Sequence, residues 1–336
     1  MAKNAPIKVG TALVKPGERT TVRLPVADLY TGTSLAMPVH VVCGRRHGPT
    51  LFVSAAIHGD ELNGVEVIRR LLKRKVLESM RGTLLAVPIV NVHGFLDQSR
   101  YLPDRRDLNR SFPGSRKGSV ASRMAYTFMH EIVDKSDFGI DLHTGAINRC
   151  NLPQVRGNLD DPATLQLAKA FGAPVIIDSN ARDGSLRQCA ADKGMPMLIY
   201  EAGEALRFDE LSIRAGLRGT LNAMRHIGML PLSKKSGTAA PVVADSTSWV
   251  RAPESGIVIP KVELGSRVTE GQVLAIMGDP VGDEETPVTA PFDGIVIGHS
   301  KLPLAHEGDA LFHVAAFKSV SRAENRVEEF AAVHGA

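Results

Sequence analysis

The sequence predicts an α/β protein in which a mostly parallel central sheet is flanked by helices, followed by a small all-β C-terminal domain. The first observation is that short apolar runs alternate with helical patterns from about Met37 to Leu230, which is typical of strand and helix units around a parallel sheet. The second is that Ser246 to Ala315 holds β-branched runs broken by glycine and proline turns, without a long helical period. That pattern indicates a small barrel or sandwich.

The predicted elements of the first region follow one another in chain order. Strands are expected where short apolar runs stand between turn residues, and helices where apolar residues recur with a helical period. The strands are Val39–Val42, Leu51–Ala56, Thr83–Val90, Phe138–Leu142, Pro174–Ile177 and Met197–Tyr200. The helices are Asn63–Glu78, Val120–Val133, Pro162–Phe171 and Phe208–Ile227. Ligands bind at the carboxyl ends of strands in such sheets, so residues just after these strands are site candidates.

Length and composition indicate two soluble globular domains. The 336 residues suffice for one domain at residues 1–235 and another at residues 245–320, separated by a polar, proline-flanked linker from Pro231 to Pro241. Apolar residues make up 43% and charged residues 23% of the chain, as in ordinary globular proteins. The three cysteines have no paired spacing, which argues against a disulfide framework and against a cysteine zinc site.

Composition also bears on location and partners. The N-terminus lacks the apolar core of a signal peptide and no apolar stretch is long enough to cross a bilayer, so we expect a cytoplasmic protein without a membrane partner. The net charge is +4, but aromatic residues total only 5%, so nucleic-acid binding is not expected. Basic residues crowd between Arg100 and Lys117, either as a solvated loop or as a cleft lining for an anionic substrate.

The most informative motif is the turn Ile57-His58-Gly59-Asp60-Glu61, directly after a predicted strand. His58 and Glu61 are three residues apart, so a single turn can direct an imidazole and a carboxylate at one Zn²⁺. Three further motifs supply a third metal ligand, a cationic clamp and a spare carboxylate, the components of a zinc hydrolase. They are Asp107-Leu108-Asn109-Arg110, Asp141-Leu142-His143-Thr144-Gly145 and Glu201-Ala202-Gly203-Glu204. The first, third and fourth motifs lie at strand ends, where separate loops can converge on one crevice.

In these four motifs, from about Val39 to Pro231, the sequence resembles the succinylglutamate desuccinylase and aspartoacylase family, relatives of the zinc carboxypeptidases. The resemblance implies a zinc carboxypeptidase-like fold and one Zn²⁺ per chain, held by His58, Glu61 and His143. Three protein ligands with an open fourth position are typical of catalytic rather than structural zinc.

The resemblance gives Glu201 the role of the base that takes a proton from water and delivers it to the leaving amine. Glu204 is the local alternative, although a carboxylate at a helix start explains that residue better. Asp141 stands two residues before His143 and can orient its imidazole by accepting a hydrogen bond. If both residues are still in strand conformation, Asp141 and His143 lie on the same side of the strand.

The resemblance also implies contacts to the substrate. Arg100 is the expected counterpart of the arginine that polarises the scissile carbonyl. Arg105 and Arg106 remain alternatives, because the stretch from Arg100 to Arg110 is slightly longer than in the family. A guanidinium can grip a carboxylate in bidentate fashion. The residues expected to bind substrate are Asn109, Arg110 and Arg187.

The expected function is that of a zinc-dependent amidohydrolase acting on an N-acylated amino acid or a related small, anionic amide. No Gly-x-Ser-x-Gly elbow occurs, which argues against a serine nucleophile. One alternative is a zinc carboxypeptidase acting on short or modified peptides. The other is a non-catalytic binding protein on the same fold, although such a protein has no need of a base beside the metal.

The C-terminal region resembles the barrel-sandwich domains of biotinyl and lipoyl carriers. Its two similar pieces, Ala252–Val258 and Ala290–Val296, indicate an internal duplication. Those carriers present a modifiable lysine between the halves, whereas Gly278–Glu285 contains none. We therefore expect a structural or oligomerising module, with exposed strand edges that could pair in a homo-oligomer.

Overall fold

The computed structural model describes residues 2–232 and 240–335. Residues 233–239 of the expected linker lie outside the described part. In the first region the strands are β1 (Ile7–Val9), β2 (Ala12–Val14), β3 (Arg19–Asp28), β4 (Ser34–Cys43), β5 (Arg46–Ala55), β6 (Arg81–Val87), β7 (Phe138–Gly145), β8 (Arg149–Gly157), β9 (Val175–Asp178) and β10 (Met197–Glu204). The α-helices there are α1 (Asn63–Leu72), α2 (Val92–Leu96), α3 (Val120–Glu131), α4 (Pro162–Phe171), α5 (Leu186–Asp192) and α6 (Glu210–His226).

The C-terminal region adds nine short strands and one helix to the described part of the chain. The strands are β11 (Val242–Ala244), β12 (Ser246–Arg251), β13 (Gly256–Pro260), β14 (Arg267–Val268), β15 (Val273–Gly278), β16 (Glu285–Thr289), β17 (Gly294–Ser300), β18 (Leu304–Ala305) and β19 (Ala310–Ala316). The helix is α7 (Val320–Gly335). Helix α7 was not predicted from the sequence.

Four parallel strands form the centre of the large sheet, in the order β6, β5, β7, β10. Strands β3 and β4 extend it on one side, and β8 pairs antiparallel with β10 on the other. Parallel pairing brings the carboxyl ends of β5, β7 and β10 to one edge, where Glu201 is the register partner of His143. The predicted α/β sheet flanked by helices is confirmed.

Both faces of the central strands are buried, which explains their continuous apolar sequences. Along β5, Leu51 and Val53 point into the core under α1, α4 and α6, whereas Phe52 joins the core with α3 and the N-terminal strands. Helix α4 begins with a strong signal, since Asp161 accepts hydrogen bonds from the next turn and Pro162 occupies the first helical position. Gly172 ends this helix with a left-handed conformation.

Two local expectations differ from the structure. The helix expected over Asn63–Glu78 ends at Leu72, and a short 3₁₀ turn follows at Lys75–Ser79. The break occurs at a basic run that offers no apolar side chain to the core, and Arg74 there is extended. Strand β8 was not predicted, because Pro153 and several polar side chains interrupt its apolar pattern.

The C-terminal strands divide between two sheets. Strands β16, β15, β13 and β18 form a separate antiparallel sheet, whereas β17, β19 and β12 continue the large sheet beyond β8. The junction is an antiparallel pairing in which Gly298 is the register partner of Asn151. Strand β11 also pairs with β9, and Phe330 of α7 packs into the core of the first region. The division into domains 1–235 and 245–320 stays a prediction.

Asp279 organises the connection between β15 and β16. The Asp279 carboxylate accepts hydrogen bonds from the backbone N–H groups of Gly282 and Asp283, both at 2.9 Å.

All three cysteines are buried and free. Within residues 2–232 and 240–335, no helix combines the length and apolar character needed to cross a membrane.

Candidate metal centre and cleft

A tight turn after β5 places His58 and Glu61 at the edge of the sheet. Ala56 adopts a left-handed conformation with φ of 51°, which turns the chain out of the strand. At Gly59 a Cβ atom would lie 1.9 Å from the backbone carbon of Gly94, so the turn tolerates no side chain there. The turn directs both side chains inward, where His58 is 4% and Glu61 2% exposed.

The three expected metal ligands form one buried group. The Glu61 carboxylate lies between two imidazoles, with Oε1 2.6 Å from His58 Nδ1 and Oε2 2.8 Å from His143 Nδ1. One nitrogen or oxygen atom of each residue lies within 4.8 Å of the others. His143 belongs to β7 and is 5% exposed. The fold therefore brings together candidate ligand atoms from the ends of two strands.

Each imidazole is held from behind by a further carboxylate. Asp141 Oδ2 lies 2.6 Å from His143 Nε2, and Ser54 donates a hydrogen bond of 2.7 Å to the other oxygen of Asp141. Asp107 Oδ1 lies 3.2 Å from His58 Nε2. Such partners fix the tautomer and leave Nδ1 of each ring for a metal. Sequence reasoning identified this position for Asp141 but not for Asp107, although Asp107 begins one of the four motifs.

The electrostatics of the group favour protonated imidazoles in the absence of metal. Burial opposes the charge on His143, but Asp141 and Glu61 raise its pKa well above the ordinary value. Burial likewise opposes ionisation of Glu61, yet His58 and His143 lower its pKa overall. An imidazole must be neutral to bind a metal. A bound cation would therefore replace the additional proton on each of the two rings.

The donor set fits a zinc ion. Two imidazole nitrogens and one carboxylate are a combination found at catalytic zinc sites. The group opens on a cavity of about 350 Å³, which is the size of a small-molecule site. Arginines dominate the charged lining, against the carboxylates of Glu61 and Glu201. They are Arg100, Arg110, Arg149, Arg156, Arg182 and Arg187.

Arg100 is the arginine nearest the candidate metal ligands. Its guanidinium lies 3.4 Å from Glu61 Oε1 and 3.0 Å from Asp107 Oδ2. Burial opposes its charge, but these two carboxylates raise the pKa of Arg100, so the residue stays cationic. Arg105 and Arg106 are exposed and are not among the residues that line the cavity. The geometry thus favours Arg100 over the two alternatives.

The three residues expected to bind substrate, Asn109, Arg110 and Arg187, differ in their surroundings. Asn109 is buried and its side-chain oxygen accepts a hydrogen bond of 3.0 Å from the backbone of Leu186, so it holds α5 against the cleft. Arg110 lines the cavity from the same turn. Arg187 also lines it, and its guanidinium is anchored on the carbonyls of Ser179 and Asn180 at 2.8 and 2.7 Å.

Glu201, rather than Glu204, faces the cavity. Glu201 lies on β10 with 21% of its side chain exposed, and its Oε2 accepts a hydrogen bond of 2.8 Å from Asn151. Glu204 is 6% exposed and forms an ion pair of 3.0 Å with Lys301 of the C-terminal region. Its other oxygen accepts a hydrogen bond from the backbone of Asn148. Glu204 is therefore a structural residue between β10 and the β17–β18 connection.

The part of the cavity lining that β8 and β12 contribute was not predicted from the sequence. Asn151, Arg149 and Arg156 come from β8, and Trp249 comes from β12 of the C-terminal region. The guanidinium carbon of Arg149 lies 4.8 Å from the centre of the Trp249 ring, and His313 stacks on that ring at 4.5 Å. The available signal was that Trp249 is the single tryptophan of a chain poor in aromatic residues.

The fold and the site define an α/β protein with a buried His-Glu-His group at the carboxyl edge of a parallel sheet, facing a cationic cleft. The family model for the succinylglutamate desuccinylase/aspartoacylase catalytic domain matches residues 47–227, more than half of the chain. The chain belongs to this family.

Individual relatives agree with that assignment. The chain is 28% identical over 307 residues to the N-alpha-acetyl-L-2,4-diaminobutyric acid deacetylase of Halomonas elongata, covering 88% of this chain and 90% of that protein. A succinylglutamate desuccinylase/aspartoacylase from Rhodobacter sphaeroides superposes with a TM-score of 0.79 at 26% identity, over 89% of this chain and 95% of that one. The ectoine utilization protein EutE (DoeB) from Ruegeria pomeroyi, in a product-bound form, shares the fold with a TM-score of 0.82 at 24% identity, over 94% of this chain and 100% of that one.

Proposed function

We propose that the protein is a zinc-dependent amidohydrolase that removes the acyl group from an N-acylated amino acid. The observation that carries this proposal is the buried group of His58, Glu61 and His143 beside a cleft that also contains Glu201. A metal-binding protein without catalysis has no need of that additional carboxylate. The family assignment supports hydrolysis of an acyl bond.

His58, Glu61 and His143 would hold one zinc ion through Nδ1 of each imidazole and the Glu61 carboxylate. When bound, zinc polarises a carbonyl and lowers the pKa of water toward ~7. Asp107 and Asp141 keep the two imidazoles in the orientation that binding requires. The chain thus provides a prearranged site for the ion.

Glu201 is the proposed base and acid. Asn151 donates a hydrogen bond to Oε2, and among the described residues no hydrogen bond to Oε1 is found, so Oε1 is available to move a proton. A carboxylate in this position can take a proton from water and deliver it to the departing amine nitrogen. No covalent bond between the acyl group and the protein is needed.

The arginines hold the substrate and stabilise negative charge. The proposal assigns Arg100 the stabilisation of the oxyanion that develops on the amide carbonyl, and its position beside Glu61 supports this role. Arg110 and Arg187 line the cavity and bind the carboxylate of the amino acid. The cavity of about 350 Å³ is large enough for a small acyl amino acid, and a short peptide is the second candidate substrate.

The acyl group proposed for the first test is acetyl, because the relative from Halomonas elongata is named as a deacetylase. Amine release from N-acetyl, N-succinyl and N-formyl amino acids by zinc-loaded protein tests the proposal. We expect turnover on at least one member, and a loss of about 10²- to 10⁴-fold in Glu201→Gln with zinc still bound. Full activity in that variant would contradict the role of Glu201. Failure on every member with zinc bound would contradict the proposed substrate class.

A further inference from the structure

We propose that Asn151 positions the Glu201 carboxylate, and that Gly298 of the C-terminal region makes the space in which Asn151 does so. The inference rests on the proposed role of Glu201. It assigns the C-terminal strands a part in catalysis, through a residue on β8 that lies between them and the base.

A β-bulge in β8 turns Asn151 toward the cleft. Glu201 pairs with Gln154 and Gly203 pairs with Asn151, so two residues of β8 stand opposite the single residue Ala202. The extra residue reverses the alternation of side chains, which brings Asn151 to the same face as Glu201. Pro153 lies in this bulge, a position where a strand tolerates proline. The bulge thus directs the Asn151 side chain toward Glu201.

Among the described residues, Asn151 makes a shorter polar contact with Glu201 than Arg156 does. Asn151 Nδ2 lies 2.8 Å from Oε2, whereas the Arg156 guanidinium lies 3.4 Å from the same oxygen. Asn151 is 5% exposed, and within residues 2–232 and 240–335 its Oδ1 has no hydrogen-bond partner. A buried amide with an unpartnered oxygen is costly, so the donor half of this side chain carries its role.

The absence of a side chain at Gly298 leaves space for the Asn151 side chain. Trp249, His313, Gly298 and Asn151 are successive register partners across β12, β19, β17 and β8. Only Gly298 lacks a side chain in this row. A Cβ atom there would lie 2.8 Å from Asn151 Oδ1 and 3.3 Å from His313 Cβ. The nearest atom is the end of a side chain, so an added methyl group would displace the amide before it disturbed the backbone.

The geometry predicts that the C-terminal strands affect catalysis rather than binding. Glu201 moves a proton, whereas the arginines bind the substrate, so displacement of Glu201 lowers kcat and leaves KM nearly unchanged. A misplacement of about 1 Å in a catalytic group can reduce the rate by about 10²-fold. A residue with a purely structural role would instead lower the amount of folded protein without this separation of constants.

The test compares Asn151→Ala, Gly298→Ala and the double variant as zinc-loaded full-length proteins. We expect kcat to fall about 10- to 100-fold in Asn151→Ala and by a smaller factor in Gly298→Ala, with KM changed less than about 3-fold in both. In the double variant, Gly298→Ala should add nothing, because the side chain that it displaces is gone. Ser300→Ala, two residues further along β17, is the control and should match the wild type.

Several results would overturn the inference. An unchanged kcat in Asn151→Ala would show that Glu201 needs no positioning by this residue. Fully additive effects in the double variant would show that Gly298 acts independently of Asn151. Absence of turnover in the wild type on every N-acyl amino acid would overturn the proposed function together with the inference, whereas normal turnover in both single variants would overturn the inference alone.

Discussion

At the scale of single residues, the proposed metal site depends on two carboxylates that are outside the proposed ligand set. Asp141 and Asp107 each contact the rear nitrogen of one imidazole. Asp141 and His143 lie two residues apart on the same strand, whereas Asp107 and His58 belong to separate segments of the chain. The proposed ligands and the Asp141 contact could therefore be expected from the spacing and the family resemblance, whereas the Asp107 contact required the structure.

Asp141→Asn should weaken zinc binding by about 10- to 100-fold, because the substituted amide supports a metal-bound imidazole less well than a carboxylate does. Equilibrium dialysis against a zinc buffer measures this change. Asp107→Asn is the matched comparison and should have a smaller effect, because its contact with the ring is longer and is shared with Arg100. Equal zinc affinity in wild type and Asp141→Asn would contradict this account.

The lowered pKa of His313 predicts that the folded protein loses stability at acid pH. Burial, with Arg156 and Arg149 nearby, lowers its pKa from 6.5 to about 3. Between these values the unfolded chain binds a proton that the folded protein does not, so stability falls as the pH falls through this window. One such group contributes a slope of at most about 1.4 kcal/mol per pH unit.

Urea unfolding at pH 7, 5.5 and 4 tests this prediction in wild type and His313→Phe, which retains a ring against Trp249. The free energy of unfolding should fall less steeply in the variant between pH 6.5 and 4. Parallel pH dependences in the two proteins would show that His313 is protonated alike in the folded and unfolded states.

At the scale of elements, predictability followed the apolar content of each strand rather than its burial, since β8 is buried along most of its length. Strands β5 and β10 were predicted because both faces are buried, which leaves nearly continuous apolar runs. Strand β8 was missed because its cleft face carries Arg149, Asn151 and Arg156. The features that make β8 part of the site are those that obscured it in the sequence, since a polar cleft wall has no strand-like apolar pattern.

Strand β12 supplies a spectroscopic probe of the cleft. Trp249 is the single tryptophan, is half-buried and lines the cavity beside Arg149. Addition of an N-acetyl amino acid substrate to zinc-loaded Glu201→Gln protein should change its emission saturably and reduce quenching by acrylamide. Calorimetric binding without any change in emission or quenching would contradict the placement of Trp249 in the wall.

At the scale of the whole molecule, the large sheet extends from the first region into the C-terminal strands without interruption. Two pairings, β8 with β17 and β9 with β11, join the regions, and α7 packs against α6. The change from helical periodicity to short β-branched runs in the sequence predicted the all-β character of the second region. It could not indicate these pairings, because the hydrogen bonds between β8 and β17 join segments far apart in the chain.

A fragment that ends at Leu232 should fail to form a stable protein. Its strands β8 and β9 would each expose an edge, and the core would lose Phe330. Solubility and thermal unfolding by circular dichroism measure the effect. Replacement of the exposed Asp279–Glu284 connection by Asn-Gly is the control and should leave the fold intact. A soluble fragment that unfolds cooperatively would contradict the prediction and support two independent domains.

The most direct test of the central claim is a titration of metal-free protein with zinc, with amine release from an N-acetyl amino acid as the readout. The account predicts that activity rises linearly to one zinc per chain and then stays constant, and that His143→Ala abolishes this rise. Full activity in the metal-free protein, or a stoichiometry that the loss of His143 does not change, would contradict a zinc centre at His58, Glu61 and His143.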